Sequence, residues 1–250
     1  MSASDLLKSK VALITGCNRG IGKAITETFA QNGADIWACA RKETVEFNTF
    51  LDEIRAKYAV KINALYFDLA DEIAVKEAMS QLLTQKERVD VLVNNAGVAH
   101  GSFFQMTSIH KIKEVFEINF FSQLLITQYV AKLMMKQKSG SIINLASIAG
   151  IDGDAGYAAY GSSKAALLFA TKTLSKEYAA FNIRVNAIAP GLTETDMAGL
   201  MEEKAKAQMI QASAMNRMAT PQEIANTALF LASDLSEFVT GQTIRVDGGM

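Results

Sequence analysis

The stretch "VALITGCNRGIG", residues 11–22, decides how this chain folds. Its first five residues form a short apolar run with no polar face, as a strand buried on both sides requires. The run ends in a turn carrying Gly16, Gly20 and Gly22, and helical periodicity follows over 20–32. Glycines permit a tight turn and let backbone N–H groups approach an anion at the start of a helix. The spacing differs from G-x-G-x-x-G, but the mechanics are alike: a strand, a glycine turn and a helix N-terminus that together can hold a pyrophosphate.

The same alternation continues outward. Apolar runs at 35–40, 62–67, 89–95, 141–147, 183–190 and 242–246 read as further strands. Segments with helical period lie between most of them, at 43–58, 72–87, 110–137 and 157–181. Strand and helix in alternation predict an α/β fold: a Rossmann-type, doubly wound parallel sheet of about seven strands with helices on both faces. Only two prolines occur. Pro190 ends a strand, and Pro221 follows Thr220, an N-cap residue, so it opens a helix. With no repeat, low-complexity tract or linker, residues 1–250 read as one domain.

Composition narrows the function. The chain has 250 residues, half of them hydrophobic, and a net charge of -1. Such a chain carries no bulk positive field for nucleic acid or acidic lipid. No run is apolar and long enough to span a bilayer, and "MSASDLLKSK" lacks a signal core, so a cytoplasmic protein is expected. Cys17, Cys39, His100 and His110 show no metal-ligand spacing, so no metal is expected.

Two ends of a site are readable. The second strand closes on Ala40-Arg41-Lys42, with no carboxylate before Glu43. A carboxylate there would favour the ribose 2′-OH of NAD, whereas a cation favours a 2′-phosphate. Arg41, with Arg19 in the glycine turn, therefore points to NADP(H). At the other end, "NNAG" (94–97), Ser147 and "PG" (190–191) close the fourth, fifth and sixth strands, and "YAAYGSSK" (157–164) starts a helix nearby. Ligands of open parallel sheets bind beyond the carboxyl ends of the strands, so these groups converge. Tyr160 and Lys164 are four apart and share a helix face. Tyr157 is seven from Lys164, about 10 Å along the axis. Tyr160 is thus the acid that could protonate a carbonyl oxygen after hydride transfer, with a nearby ammonium expected to lower its pKa. Ser147 could orient the substrate oxygen, and Lys164 could also hold the nicotinamide ribose.

With these motifs in order, "TGCNRGIG", "NNAG", Ser147, "YGSSK" and "PGLTETD", the chain resembles the short-chain dehydrogenase/reductase family along essentially its whole length. The resemblance implies a fourth catalytic residue, Asn119, holding a water that links Lys164 to solvent. By itself Asn119 reads as a mid-helix polar residue. The resemblance extends the cofactor contacts to Asn18 and Ile21 in the turn, and to Asp68 and Leu69 against adenine. It places Asn95, Ala96 and Gly97 along the cofactor and Pro190, Gly191, Thr193 and Thr195 around the nicotinamide and phosphates. Within the family the chain is most similar to 3-oxoacyl-[acyl-carrier-protein] reductases. That implies fatty acid synthesis, a homotetramer built on the helices near 110–137 and 157–181, and docking of acyl carrier protein. Two positions depart from that pattern: Thr193 replaces an apolar residue, and Phe181 stands where a docking cation is expected, although Lys138 fits the other. Reduction of another ketone, sugar or polyol is the alternative function, and a non-enzymatic NADP(H) sensor a remoter one. Residues 98–107, 148–156 and 192–215 are expected to line the substrate side, the last as a lid.

Overall fold

Val11–Thr15 forms β1, and a computed structural model describes the chain over residues 5–85, 88–199 and 201–250. Along β1 successive side chains face opposite sides of a sheet. Ile14 joins one apolar layer with Ile25, Phe29, Leu51 and Leu231, while Leu13 joins the other with Trp37, Met79, Leu92 and Met134. Both layers are fully enclosed at their centres: Ile14, Leu13 and Phe29 have no exposed surface. The strand is apolar on both sides because helices cover both sides.

The remaining strands are β2 (Asp35–Ala40), β3 (Ile62–Tyr66), β4 (Val91–Asn94), β5 (Gly140–Leu145), β6 (Ile183–Pro190) and β7 (Thr243–Val246). All pair in parallel in the order β3-β2-β1-β4-β5-β6-β7. In register, Leu13 lies between Trp37 of β2 and Leu92 of β4. Strand order reverses between β1 and β4, so the chain leaves the two strands in opposite directions and a crevice opens above their carboxyl ends. This is the doubly wound Rossmann-type sheet expected from the alternation.

The helices are α1 (Gly20–Gln31), α2 (Val45–Tyr58), α3 (Glu72–Thr84), α4 (Ile109–Phe116), α5 (Ser122–Gln137), α6 (Ala158–Tyr178), α7 (Asp196–Gly199), α8 (Glu203–Ala212) and α9 (Pro221–Ala232). Several start on a side-chain cap. Thr44 caps α2, Asp71 caps α3 through two N–H groups, Ser108 caps α4, and Thr220 with Glu223 forms a capping box on α9 behind Pro221. No side chain caps α1. Its first-turn N–H groups face the crevice, where a ligand can claim them.

The expected helix over 110–137 is two helices joined by a π turn, Glu117–Phe121. One extra residue there rotates the helix between α4 and α5 and turns Asn119 inward, with no exposed surface. A belt of buried polar groups crosses the sheet below. Asn94 Nδ2 donates to Thr127 Oγ1 and Asn144 Oδ1, both at 2.9 Å, and Asn144 Nδ2 donates to Thr171 Oγ1 at 2.9 Å. It ties α5, β4, β5 and α6 in one register.

Candidate active site

A cavity of about 460 Å³ occupies the crevice beyond the strand ends. Its wall runs from the glycine turn, past the ends of β2, β4 and β5, to the start of α6 and the segment after β6. Gly16, Asn18, Arg19, Gly20, Ile21, Gly22, Arg41, Asp68, Leu69, Asn95, Ala96, Gly97, Pro190, Gly191, Thr193 and Thr195 all line it, as do Ser147, Tyr160 and Lys164. Asn119 does not; it lies beneath the wall. Of the segments expected on the substrate side, 98–99, 148–149 with Asp154, and parts of 192–215 reach the cavity, while 100–107 do not.

The glycine turn is built for close approach. A side chain at Gly22 would collide with the Gly16 carbonyl oxygen and the Asn95 amide, and Gly16 sits at φ 74°. Asn95 Nδ2 donates to the carbonyl oxygens of Thr15 (2.8 Å) and Gly16 (3.3 Å). Thr15 Oγ1 accepts from the N–H groups of Asn95 and Ala96, both at 3.0 Å. The side chain of Asn95 is therefore spent on shaping the turn, which leaves its backbone along the cavity. The uncapped α1 N-terminus and this fixed turn fit a bound pyrophosphate.

At the far side of the turn, Arg19 makes an exposed 3.2 Å ion pair with Asp196 of α7. Arg41 is exposed and makes no ion pair among the described residues. Glu43, the first carboxylate after β2, receives Asn48 Nδ2 at 2.7 Å and does not line the cavity. A cation without a competing carboxylate at the end of β2 fits a 2′-phosphate.

At the other end, one turn of α6 carries Tyr160 and Lys164. The Lys164 ammonium donates to the Leu145 carbonyl oxygen at 2.7 Å and lies 6.0 Å from the Tyr160 ring centre. Lys164 is 4 % exposed. Burial disfavours its charge and brings its pKa down to about 8. The Tyr160 phenol is pushed up by burial, pulled down by a hydrogen bond with Ser147, and raised further by the nearby Tyr157. The expected lowering by Lys164 is absent: the ammonium is committed to a backbone carbonyl, and desolvation dominates. The Tyr157 ring lies 6.3 Å from that of Tyr160, edge-on, in the same cavity.

Ser147 lies two residues beyond β5, where it caps a short turn at Ile148–Gly150. Its Oγ accepts the Ala149 N–H at 3.2 Å, which fixes the hydroxyl towards Tyr160. Asn119 Oδ1 accepts the Val98 N–H at 2.8 Å. Asn119 Nδ2 donates to the Val98 carbonyl (2.9 Å) and to Ser163 Oγ (3.1 Å). Ser163 in turn donates to the Tyr160 carbonyl at 2.7 Å. The amide thus locks the loop after β4 to the first turn of α6. A Cβ on Gly97 would sit 2.9 Å from Asn119 Oδ1 and 3.4 Å from Lys164 Nζ, so a glycine is required there.

Sequence reasoning passed over Thr15, Cys39, Phe67 and Ile118, all of which line the cavity. Thr15 carried a signal, a polar residue at the end of an otherwise apolar strand. Cys17 and Cys39 are both buried; burial pushes the Cys17 thiol up to about 12 and raises that of Cys39 strongly, so neither is a nucleophile at neutral pH.

Comparison with known proteins agrees with this geometry. Residues 16–250 match a family model described as enoyl-(acyl carrier protein) reductase. The chain belongs to the short-chain dehydrogenase/reductase family. It is 36 % identical to a 3-oxoacyl-[acyl-carrier-protein] reductase FabG of Aquifex aeolicus, over 98 % of each chain. It is 37 % identical to a 3alpha-hydroxysteroid dehydrogenase of Mediterraneibacter gnavus, over 97 % of each. A solved structure described as an NAD(P)-dependent gluconate 5-dehydrogenase from Beutenbergia cavernae, with NADP at low occupancy, superposes with a TM-score of 0.91 at 34 % identity, covering 97 % of each chain. Proteins named for carrier-bound acyl groups, a steroid and a sugar acid thus lie at nearly equal distance from this chain. The family is settled by these likenesses, and the substrate must be argued from the cavity.

Proposed function

We propose that this chain is an NADPH-dependent ketoreductase, most consistent with reduction of a 3-oxoacyl group on acyl carrier protein, and that Tyr160 is its general acid. Full-length identity to 3-oxoacyl-[acyl-carrier-protein] reductases supports the reaction class. The NADP in the Beutenbergia structure, with Arg41 free at the end of β2, supports the cofactor. The single observation that carries the reading is Tyr160 hydrogen-bonded to Ser147, one helical turn from Lys164, in the wall of a nucleotide-sized cavity.

NADPH, when bound, supplies the hydride. The chain supplies position and a proton. Gly16, Asn18, Arg19, Gly20, Ile21 and Gly22 take the phosphates, with Arg19 and Arg41 on the 2′-phosphate. Asp68 and Leu69 border the adenine. Asn95, Ala96, Gly97, Pro190, Gly191, Thr193 and Thr195 flank the ribose and nicotinamide. Ser147 orients the substrate oxygen, and the Tyr160 phenol gives its proton to the oxygen as negative charge develops there. Burial raises the pKa of this phenol, which suits a proton donor. Lys164 stays largely protonated at pH 7 with a pKa of about 8 and can reprotonate the site. Asn119 serves chiefly as a positioning residue. Its amide holds Val98 and Ser163 in place.

Residues 1–250 act as one catalytic unit, with 192–215 as the cover of the substrate side. α7 and α8 lie within that cover. The homotetramer is supported by apolar residues left bare on the helices expected at the interface: Phe121 is 53 % and Phe169 74 % exposed. For carrier docking the surface offers exposed Lys138, while Phe181 packs against the apolar layer. Among the described residues no helix is long and apolar enough to cross a membrane. The test is NADPH oxidation over a panel of acetoacetyl-carrier mimics, diketones, steroids and keto-sugars. Turnover of the carrier mimic supports the reading, turnover only of another ketone redirects the substrate, and NADPH binding without any turnover ends it.

A further inference from the structure

The substrate half of the cavity has a chemistry of its own. Its wall beyond Tyr160 is Ile148, Tyr157, Leu192, Met197, Met201 and Met209. Ile148 and Leu192 are almost fully buried and form a fixed apolar floor. The three methionines come from the segment after β6, and their unbranched thioethers adapt to irregular apolar shapes. Among the described residues no lysine or arginine lines this half: the cavity's cations are Arg19 and Arg41 at the nucleotide end and Lys164 beneath Tyr160.

One charge without a partner among the described residues does stand there, since Asp196 beside Met197 is paired with Arg19. Asp154 lines the cavity from the loop between Ser147 and α6, six residues before Tyr160. Its backbone carbonyl accepts the Tyr157 N–H at 3.2 Å. Its carboxylate has no hydrogen bond or ion pair among the described residues. The arginine that reaches this loop, Arg245, is spent elsewhere. Arg245 forks onto Asp152 at 2.8 and 2.9 Å, reaches Asp247 at 2.6 Å, and donates to the Met250 carbonyl. The same loop therefore presents one neutralised aspartate, Asp152, and one bare one, Asp154.

We propose that the substrate half of this cavity selects an uncharged, largely apolar ketone, and that Asp154 excludes ketones carrying a carboxylate. This rests on the ketoreductase reading for its placement of the reacting carbonyl at Tyr160. An anionic substrate would gain no cation to pair with and would meet a like charge in the Asp154 carboxylate, which stands exposed in the cavity wall. A neutral acyl or polycyclic ketone loses nothing to Asp154 and gains apolar contact with the floor and the methionines. A sugar acid, the substrate for which the Beutenbergia protein is named, is on this account a poor ligand here.

The test uses a stable matched pair, methyl 4-acetylbenzoate and 4-acetylbenzoate, which share a ketone and differ in one charge. Binding of each to the full chain saturated with NADP+, which has no hydride to give, is measured by calorimetry, and turnover by NADPH oxidation. The ester is expected to bind at least about tenfold more tightly than the acid, with the ratio falling in 0.5 M salt. Asp154→Asn is expected to narrow the ratio about fivefold by strengthening binding of the acid. Equal binding of acid and ester, or a ratio unmoved by Asp154→Asn, overturns the proposal. The expected selectivity in binding with neither compound reduced supports this proposal and counts against the reductase reading; reduction of both without selectivity does the reverse.

Discussion

Replacing Lys164 with methionine should make the protein more stable and nearly inactive. The lysine is 4 % exposed, and its pKa of about 8 lies well below the ordinary 10.5. At about 1.4 kcal/mol per pKa unit, holding this ammonium in the fold costs roughly 3 kcal/mol at neutral pH. Methionine has a similar length and no charge to desolvate. It forfeits the 2.7 Å bond to the Leu145 carbonyl oxygen, worth about 1–2 kcal/mol with a charged donor. The net expectation for Lys164→Met at pH 7 is a gain of about 1–2 kcal/mol. The pH dependence carries the sign. A lysine whose folded pKa lies below its unfolded value binds fewer protons when folded. The penalty is full below pH 8 and fades as pH rises towards 10.5, so wild type gains stability over that window and the variant does not. Urea unfolding of cofactor-free protein at pH 7, 8, 9 and 10, at equal protomer concentration, measures the gap. It should be largest at pH 7, close near pH 9 and reverse by about pH 10, while turnover falls at least about a hundredfold throughout. A variant less stable than wild type at pH 7, or a gap that is flat with pH, would refute the burial argument.

Arg41→Ala should raise KM for NADPH about tenfold or more and leave NADH little changed, read from initial rates with each cofactor; equal effects on both would remove Arg41 from the 2′-phosphate. Thr220→Ala should cost about 1 kcal/mol in denaturant unfolding by opening the α9 capping box, with kcat unaltered, since Thr220 lies outside the cavity wall. Light scattering on a size-exclusion column should give four copies, and Phe169→Glu should reduce that number; a wild-type monomer would leave the exposed face of α6 without its expected cover.

The fold was legible because the local signals were redundant. β1, β2 and β6 end where the apolar runs meet a glycine turn, the Arg41-Lys42 pair, and Pro190-Gly191. Pro221 behind Thr220 marks α9 to the residue. The nucleotide end followed from one strand and one turn, because the glycines sit next to each other in sequence. The choice of Tyr160 over Tyr157 needed only helix geometry. Other features depend on contacts between distant segments. The π turn at 117–121 leaves helical periodicity intact on either side, so Asn119 reads as an ordinary mid-helix residue until its partners at Val98 and Ser163 are seen. Asn95 reads as a cofactor contact, while its amide is spent on Thr15 and Gly16 about 80 residues earlier. The pKa of Tyr160 was expected to fall because lysine is near in sequence. It rises because burial depends on the whole wall, which spacing does not report.

The central claim is that Tyr160, not Tyr157, delivers the proton. Tyr160→Phe and Tyr157→Phe should be compared by NADPH fluorescence titration and by kcat on whichever ketone the wild type reduces. Tyr160→Phe should bind NADPH within about threefold of wild type and lose about a thousandfold or more in kcat, while Tyr157→Phe keeps kcat within about tenfold. A Tyr160→Phe enzyme that retains its turnover, above all beside an inactive Tyr157→Phe, would contradict the account.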